Sequence, residues 1–377
     1  MYQGKATEEK DNDDPFLFDV HEIDFMLLTH AHIDHSGRIP KLYKEGYRNP
    51  VIATKATCDL CEIMLPDSGH IQEMEIEWKN RKRKREGKQD LPPLYTAEEA
   101  IQSLELFRGV SYDEIVEIDN NIKVRFNDAG HMLGSAMIEV WVEENGKTEK
   151  AVFTGDIGNN DIPLLASPTM IESTDYLVME STYGSRLHMR NDDKAELFLK
   201  IVSETIEHGG TVVIPSFAVG RTQEIVYELN KLKEKRDDEE FLRQYEALMK
   251  VPVFVDSPLA ISATEVFRKN MDLFDDEVKE EMEHGDNPLE FPGLQFTRTA
   301  EESKELNERN DSSIVISASR NVRSRTYQAP FKTQPMEPQK YHSLCWLPST
   351  RNLGKQTRKW GKESKNLWRR NHGKCKN

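Results

Sequence analysis

The sequence predicts a mixed α/β protein, and two stretches of the chain carry that prediction. The apolar run Ile23 to Leu28 leads into a polar loop and then into Ser36-Gly37-Arg38, which is the order of a buried strand, a loop and a helix start. The stretch Gly209 to Glu224 has the same order, with a β-branched apolar strand, a turn and a helix start. Helical patterns are predicted at Lys194 to His208, Thr222 to Lys235 and Ala263 to His284.

The loop after the first apolar run concentrates side chains that bind metals. It reads Thr29-His30-Ala31-His32-Ile33-Asp34-His35, with the spacing His-x-His-x-Asp-His. Residues two apart in extended backbone point to the same side, so His30 and His32 can face one metal together. Asp34 and His35 lie past the turn and can face a second metal. Imidazole and carboxylate ligands suit Zn²⁺, with Mn²⁺ or Fe²⁺ as competitors.

Two further loops contain histidine or aspartate close to glycines. The first is Asn127-Asp128-Ala129-Gly130-His131-Met132-Leu133-Gly134-Ser135, and the second is Phe153-Thr154-Gly155-Asp156-Ile157-Gly158. Each loop follows a β-rich apolar run and contains glycines, which allow tight turns and close approach of the backbone to a metal. Gly155-Asp156 alone would be typical of an ordinary turn.

In this order, the motifs resemble those of the metallo-β-lactamase superfamily. The resemblance implies that His131 and Asp156 are ligands and that Asp156 bridges two metals. Glu180-Ser181-Thr182-Tyr183-Gly184 is similar to a signature of the β-CASP branch, whose members process nucleic acids. The stretch Gly209 to Glu224 is similar to the β-CASP insert of bacterial RNases and of the eukaryotic pre-mRNA 3′-end nuclease. Residues Val251 to Ala260 and Ser312 to Ser319 fit later strands of that insert, so the resemblance covers about residues 2 to 319.

The resemblance implies an αββα metallo-β-lactamase sandwich with an α/β β-CASP insert. We expect residues 1–190 to form the metallo-β-lactamase domain without its opening strands, and residues 191–319 to form the β-CASP domain. Residues 320–377 are expected to be an aberrant basic tail, out of frame and disordered.

The implied activity is cleavage of RNA phosphodiester bonds by a hydroxide that two Zn²⁺ ions activate, with Mn²⁺ as an alternative metal. The resemblance assigns the metals to His30, His32, Asp34, His35, His131 and Asp156. It assigns catalytic roles to Asp34, which would orient the water or accept its proton, and to Glu180, as an acid or an orienting group. Gly220 and Arg221 are candidates for substrate binding, because a helix N-terminus offers N–H groups to a phosphate. Simple capping explains that segment equally well.

Two other functions remain open at this stage. The first is a different metallo-β-lactamase hydrolase, such as a thioesterase or lactonase, although these lack a β-CASP insert. The second is an inactive, truncated product. RNA, taken as single-stranded, is the expected partner, and the resemblance makes a homodimer the candidate assembly.

Composition sets wider limits. The net charge is −15 and no run of about 18 apolar residues occurs, so no membrane span is expected. No signal peptide opens the chain and four cysteines form no disulfide framework, so the cytoplasm is the expected compartment. Cys58-x-x-Cys61 fits a helix better than a zinc knuckle. The basic run Lys79 to Lys88 can attract phosphate or can be a solvated helix face or loop.

Both ends depart from the family pattern. The chain runs from Met1-Tyr2-Gln3-Gly4 into a charged loop, where the family has a β-rich segment and a supporting Asp, so we expect a truncated N-terminus. Residues 320–377 hold fifteen Lys/Arg and two acids, a net charge of +13 that leaves −28 for residues 1–319. The change falls within a strand motif, which predicts a frameshift near residue 320. A genuine basic RNA-binding tail is the rival interpretation. His342 and His372 lie in this tail and receive no role.

Overall fold

A computed structural model describes residues 1, 12–160, 162–182, 184–185, 192–234, 239–309, 311–317 and 341–343. Its contacts divide the chain into two units. The first comprises Met1–Met189, Gln223–Glu234 and Leu259–Phe291, and the second comprises Arg190–Thr222, Lys235–Pro258 and Pro292–Asn377. The division predicted from the sequence, at residues 190 and 319, stays a prediction.

The first unit contains a parallel sheet of three short strands. These are β1 (Met26–Leu27), β2 (Val51–Thr54) and β3 (Phe107–Val110), in the order β1-β2-β3. Four helices accompany them: α1 (Ile33–Ser36), α2 (Ile39–Lys44), α3 (Lys55–Arg85) and α4 (Ala97–Ser103). Helix α3 packs against α4, β2 and β3. Every residue of β2 is buried, as expected of a central parallel strand.

The first unit also contains a five-stranded sheet in the order β4-β5-β6-β7-β8. Its strands are β4 (Ile115–Glu117), β5 (Ile122–Asp128), β6 (Ala136–Glu144), β7 (Lys147–Phe153) and β8 (Tyr176–Val178). The pairs are antiparallel except β7 with β8, which is parallel. Strands β6 and β7 form a hairpin closed by Asn145 and Gly146, both with positive φ, the requirement of a tight two-residue turn.

An apolar layer joins the two sheets of the first unit. Ile52 from the three-stranded sheet packs with residues of β5 and β6, among them Val124, Phe126 and Ile138. The backbone N–H of Ala136, at the start of β6, donates to the carbonyl oxygen of Thr29 at 2.8 Å. This bond holds the loop after β1 beside the loop between β5 and β6. The sheets therefore bring two of the predicted ligand loops together.

A charged network is buried in the five-stranded sheet. The side chain of Glu139 is 1% exposed. Its Oε2 accepts from Arg125 Nε at 2.6 Å and from Asn127 Nδ2 at 2.9 Å, and its Oε1 pairs with the Lys150 ammonium. Burial opposes ionisation, but the hydrogen bonds from Arg125, Lys150 and Asn127 outweigh it and lower the pKa of Glu139. The strands β5, β6 and β7 are thus linked by one carboxylate.

Replacing Glu139 with alanine is expected to lower the free energy of unfolding by about 2–3 kcal/mol, because charge-assisted bonds are lost and two cations lose their partner. Because the folded pKa lies below the unfolded one, this contribution is present above the unfolded pKa and is lost as the pH falls through the folded pKa. Urea unfolding at neutral and acidic pH measures both effects. Glu139→Gln keeps the shape and one acceptor and should lose less; equal losses for the two variants would contradict the network.

The second unit contains a parallel five-stranded sheet in the order β11-β10-β12-β9-β13. The strands are β9 (Thr211–Pro215), β10 (Val253–Val255), β11 (Leu294–Phe296), β12 (Ile314–Ser317) and β13 (Tyr341–Ser343). Helices α5 (Asp192–Glu207), α7 (Glu239–Lys250) and α10 (Ala300–Glu308) belong to this unit. Strands β10 and β12 are buried throughout.

One predicted helix is wrong as a single element. The predicted helix 263–284 is divided into α8 (Pro258–Lys269), a 3-10 turn (Met271–Leu273) and α9 (Asp276–Glu283). The cause is Asp275, whose side chain accepts from the N–H of Val278 and caps a new helix start. Helix α6 (Arg221–Glu234) follows the prediction closely. None of the helices in the described part of the chain has the length and apolar character that a membrane span needs.

Helix α3 is much longer than the pattern Thr57 to Leu65 that surrounds the two cysteines. It runs for 31 residues, about 46 Å at 1.5 Å per residue, and includes Arg85. Cys58 and Cys61 are free thiols on this helix, and Cys61 is fully buried.

The mixed α/β class predicted from the sequence is confirmed.

Strand β8 lies at the edge of the five-stranded sheet, as far as the described residues extend. Its three residues Tyr176, Leu177 and Val178 are each more than half exposed, and Met179 after them is 60% exposed. An apolar strand that is exposed at a sheet edge is unusual, because such edges are normally short, charged or covered.

Candidate metal centre

A buried serine donates the hydrogen bonds that shape the loop that carries His30 and His32. Ser36, in α1, donates from its hydroxyl to the carbonyl oxygens of Ala31 at 2.8 Å and His32 at 3.1 Å. Thr29 Oγ1 lies 3.1 Å from His30 Nδ1, which leaves His30 Nε2 free to face the centre. The loop therefore has a fixed path between β1 and α1.

The loop that carries His131 is held by three hydroxyls. Ser135 Oγ accepts from the backbone N–H groups of His131 at 3.1 Å and Met132 at 3.2 Å. The carbonyl oxygen of Gly134 accepts from Thr54 Oγ1 at 2.6 Å and from Thr57 Oγ1 at 2.7 Å. These two threonines lie at the N-terminus of α3, so that helix end braces the His131 loop.

The loop that carries Asp156 crosses the His131 loop in backbone contact. The N–H of Gly158 donates to the carbonyl oxygen of Ala129 at 2.8 Å. A Cβ added at Gly158 would lie 1.6 Å from the carbonyl oxygen of Gly130 and 2.8 Å from the backbone nitrogen of His131. Only glycine fits at this crossing, since neither backbone atom can move without moving its loop.

These three loops bring His30, His32, His131 and Asp156 together. One ligand atom from each of the four lies within 4.8 Å of the others. His131 Nε2 is 3.2 Å from His32 Nδ1 and 3.5 Å from Asp156 Oδ2, and His30 Nε2 is 3.8 Å from Asp156 Oδ2. Among the described residues, this is the one group of three or more such side chains with this geometry.

The four residues fit a metal ion on two counts. Nitrogen ligands 2.0–2.1 Å from a tetrahedral Zn²⁺ would lie roughly 3.3 Å apart, close to the spacing of His131 and His32. His30 Nε2 is buried and has no hydrogen-bond partner within the described residues. A buried ring nitrogen without a partner costs free energy, and a metal bond removes that cost.

The protonation states also suit metal binding. Burial, reinforced by the neighbouring His32, His35 and His131, lowers the pKa of His30 to about 2. Burial and His131 lower the pKa of His32 to about 4, and burial lowers that of His131. The hydrogen bond from His35 lowers the pKa of Asp156. Neutral imidazoles and an ionised carboxylate are the forms that bind a metal.

Of the remaining two predicted ligands, His35 contacts Asp156 and Asp34 lies beside His35. His35 Nε2 is 3.4 Å from Asp156 Oδ1 and 3.9 Å from Asp34 Oδ2. Burial opposes protonation of His35, but the hydrogen bond to Asp156 and the charges of Asp156 and Asp34 outweigh it and raise its pKa. Asp156 thus presents one oxygen to the group of His30 and His131, and the other to His35. Its predicted bridging of two metals stays a prediction.

Glu180, predicted as catalytic, contacts the Asp156 loop through the backbone. Its Oε1 accepts from the N–H of Ile157 at 2.8 Å, and its own N–H donates to Thr154 Oγ1 at 3.3 Å. The other carboxylate oxygen of Glu180, Oε2, accepts from the N–H of Thr182 at 3.4 Å. These bonds tie the end of β8 to both sides of Asp156, which gives Glu180 a positioning role in the described geometry.

Replacing Glu180 with alanine is expected to weaken metal affinity by about 10–100-fold, the usual effect of removing a group that orients a ligand. Glu180→Gln retains a side-chain carbonyl that can accept from Ile157, so we expect it to keep most of the metal affinity. Titration with a competing chelator measures both variants. A glutamine variant that loses as much metal affinity as the alanine variant would contradict positioning through Ile157.

The candidate substrate-binding residues Gly220 and Arg221 lie in the second unit, at the start of α6. Gly220 has a φ of +80°, which favours glycine. The N–H of Arg221 donates to the carbonyl oxygen of Val219 at 3.2 Å, and that of Thr222 to Phe217 at 3.2 Å. Since these two N–H groups already have acceptors, the turn explains both residues, and phosphate binding there stays a prediction. His372 lies outside the described residues.

Several supporting groups were not predicted from the sequence. They are Ser36, Ser135, Thr54 and Thr57, which hold the ligand loops, and Gly158, which lets two loops cross. Serine and threonine are common at strand and helix ends, so their presence gave no specific signal. The glycines of the His131 and Asp156 loops indicated close approach of the backbone, but not which glycine lies where the two loops cross.

The facing sheets and the cluster of histidines and aspartates at their loops define a metallo-β-lactamase fold. Residues 222–332 match the Beta-Casp domain family. The ribonuclease TTHA0252 of Thermus thermophilus is 34% identical over 319 residues, 85% of this chain and 65% of that protein. An RNase J-like protein of Methanocaldococcus jannaschii is 34% identical over 270 residues, which are 71% of this chain and 55% of that protein.

The endoribonuclease YSH1 of Saccharomyces cerevisiae is 26% identical over 310 residues, 81% of this chain and 37% of that protein. The chain therefore spans from about a third to two thirds of the length of these relatives. The Beta-Casp match and these relatives confirm the predicted resemblance to the β-CASP branch of the metallo-β-lactamase superfamily.

Proposed function

We propose that this chain is the core of a zinc-dependent hydrolase that cleaves RNA phosphodiester bonds. The convergence of His30, His32, His131 and Asp156 carries the proposal, because it creates a site for a hydrolytic metal. The Beta-Casp match and relatives named as ribonucleases support RNA as the substrate rather than a thioester or lactone. A cytoplasmic location, a homodimer and Mn²⁺ as an alternative metal are part of the proposal.

The residues of the centre would hold the metals, and one of them would also move a proton. Two Zn²⁺ ions, when bound, would supply a hydroxide at neutral pH and positive charge for the scissile phosphate. His30, His32 and His131 would hold one ion with Asp156, and His35 and Asp34 would hold the other. His35 Nε2 lies 3.4 Å from Asp156 Oδ1, close enough for the two side chains to hold one ion together.

Asp34 is the candidate for moving a proton. Its side chain is 51% exposed, compared with 29% for that of Asp156, and its Oδ2 lies 3.9 Å from His35 Nε2. A carboxylate that reaches solvent at the edge of the centre can accept a proton from an attacking water at Oδ2. Glu180 would hold the Asp156 loop in position during this transfer, by accepting a hydrogen bond from the N–H of Ile157.

Metal content and RNA cleavage by the purified full chain test the proposal together. We expect about two zinc ions per chain by elemental analysis. We also expect cleavage of a labelled single-stranded RNA that stops with a chelator and returns with Zn²⁺ or Mn²⁺. Less than one ion per chain, or metal-loaded protein that cleaves a thioester or lactone but not RNA, would contradict it.

A further inference from the structure

The C-terminal part of α3 carries an exposed tryptophan beside cations. Trp78 is 67% exposed and Met74, one turn before it, is 51% exposed. Lys82 and Arg85 follow Trp78 at the i+4 and i+7 positions and are also exposed. In a helix with 3.6 residues per turn these three side chains share one face. We call Trp78, Lys82 and Arg85 the α3 stripe.

Within the described residues, the cations of the stripe form no ion pair. Elsewhere in the basic run, Arg81 pairs with Glu77 at 2.7 Å, Lys84 with Asp90 at 3.0 Å and Lys88 with Glu86 at 2.8 Å. For Lys82 and Arg85, no described carboxylate lies within ion-pair distance. Cations in the last turn also stabilise the helix through its dipole, but that role gives no reason for a tryptophan in solvent.

The segment that returns from α3 leaves the stripe open. Asn80 donates from Nδ2 to the carbonyl oxygen of Leu91 at 2.8 Å, and its Oδ1 accepts from the N–H of Leu91 at 2.9 Å. Asn80 is two residues from Trp78 and so lies about 200° around the helix from it. The returning chain therefore covers the opposite face, and the side of Trp78 stays in solvent.

An aromatic ring next to cations is an arrangement that binds a single-stranded nucleic acid. Every base has a face that stacks on an aromatic side chain, and lysine and arginine attract the adjoining phosphates. The three residues span seven positions, about 10 Å along the helix. A purely apolar protein partner would need no cations here, and the net charge of −15 makes a local positive stripe the favourable place for phosphate.

We propose that the α3 stripe binds single-stranded RNA by stacking a base on Trp78 and pairing phosphates with Lys82 and Arg85. The inference rests on the proposed RNA substrate. Trp78 lies 21 residues beyond Thr57, which braces the His131 loop, so the stripe is about 30 Å along the helix from that loop. It acts as a remote contact that holds a longer strand, separate from the reacting phosphate.

Binding of a labelled oligouridylate to the purified full chain tests the stripe. Phosphorothioate linkages keep the charge and slow hydrolysis, so the protein can be used with its metal. We expect Trp78→Ala to weaken binding at least about fivefold, because stacking of one base is lost. Trp78→Phe retains a ring and should keep most of the affinity.

The salt dependence of RNA binding tests whether Lys82 and Arg85 contact phosphates. For single strands, each neutralised phosphate contributes about −0.7 to the slope of log K against log salt. The double variant Lys82→Gln/Arg85→Gln should therefore have a slope less steep by about 1.4. The matched control is Lys147→Gln, an exposed lysine at the start of β7, which should leave affinity and slope as in the wild type.

Four outcomes would overturn the proposal. They are no RNA binding by the wild type, wild-type affinity for Trp78→Ala, equal losses for the Phe and Ala variants, and an unchanged slope for the double variant. Cleavage is measured separately on ordinary RNA. Loss of binding in the variants of a chain that cleaves nothing would support the stripe and refute the proposed function. Cleavage of RNA together with unaltered binding in the variants would support the proposed function and refute the stripe.

Discussion

Replacing His32 with alanine is expected to reduce RNA cleavage by more than about 100-fold and to lower the metal content. Removing a residue that only orients a ligand costs about 10–100-fold, so loss of a ligand itself should cost more. His32 Nδ1 lies 3.2 Å from His131 Nε2, within the group of four ligand atoms. Elemental analysis and a fluorescent RNA assay measure the two effects.

The matched control is His70→Ala, which removes an exposed histidine from α3. It should leave metal content and cleavage as in the wild type. If His32→Ala preparations still cleave RNA at the wild-type rate, the activity comes from a contaminating nuclease or the centre is not where the hydrolysis occurs.

Replacing Gly158 with alanine should damage the centre although no ligand changes. The new Cβ would lie 1.6 Å from the carbonyl oxygen of Gly130, so the Asp156 loop or the His131 loop must shift by more than 1 Å. A misplacement of that size can reduce activity about 100-fold. The overpacking should also cost about 3 kcal/mol of unfolding free energy, the upper end of the usual range. Metal titration and thermal unfolding measure the two losses.

Gly146→Ala is the control for this substitution. Gly146 has a φ of +75° in the β6–β7 turn, but an added Cβ there meets nothing within 4 Å. It should cost some stability through backbone strain and leave the metal affinity unchanged. Wild-type metal affinity in Gly158→Ala would mean that the loop crossing is not needed to assemble the centre.

The sequence predicted the ligand loops because their chemistry is local. His30 and His32 are two residues apart in sequence, and alternation along an extended backbone already places them on one side. For His131 and Asp156, spacing in the sequence could not predict that they lie near His30 and His32, and the family resemblance supplied the assignment. The structure adds the distances, which depend on how two sheets pack and on the bond from Ala136 to Thr29.

The supporting contacts could not be predicted, because they join residues far apart in the chain. Thr54 and Thr57 reach Gly134 across about 80 positions, and nothing in either segment marks the other. Glu139 lies in a strand of charged and apolar residues that gives no sign of burial, and its partners Arg125 and Lys150 come from two other strands. The division of the helix predicted at 263–284 depended on one cap, Asp275, within an otherwise helical pattern.

The open edge at β8 has a practical consequence for work with this protein. Tyr176, Leu177, Val178 and Met179 present an apolar strand to solvent, with backbone groups that can pair with another strand. Pairing of this kind is bimolecular, so its extent rises with protein concentration. Storage at low concentration, or with a charged substitution such as Leu177→Lys, should therefore prolong the useful life of a preparation.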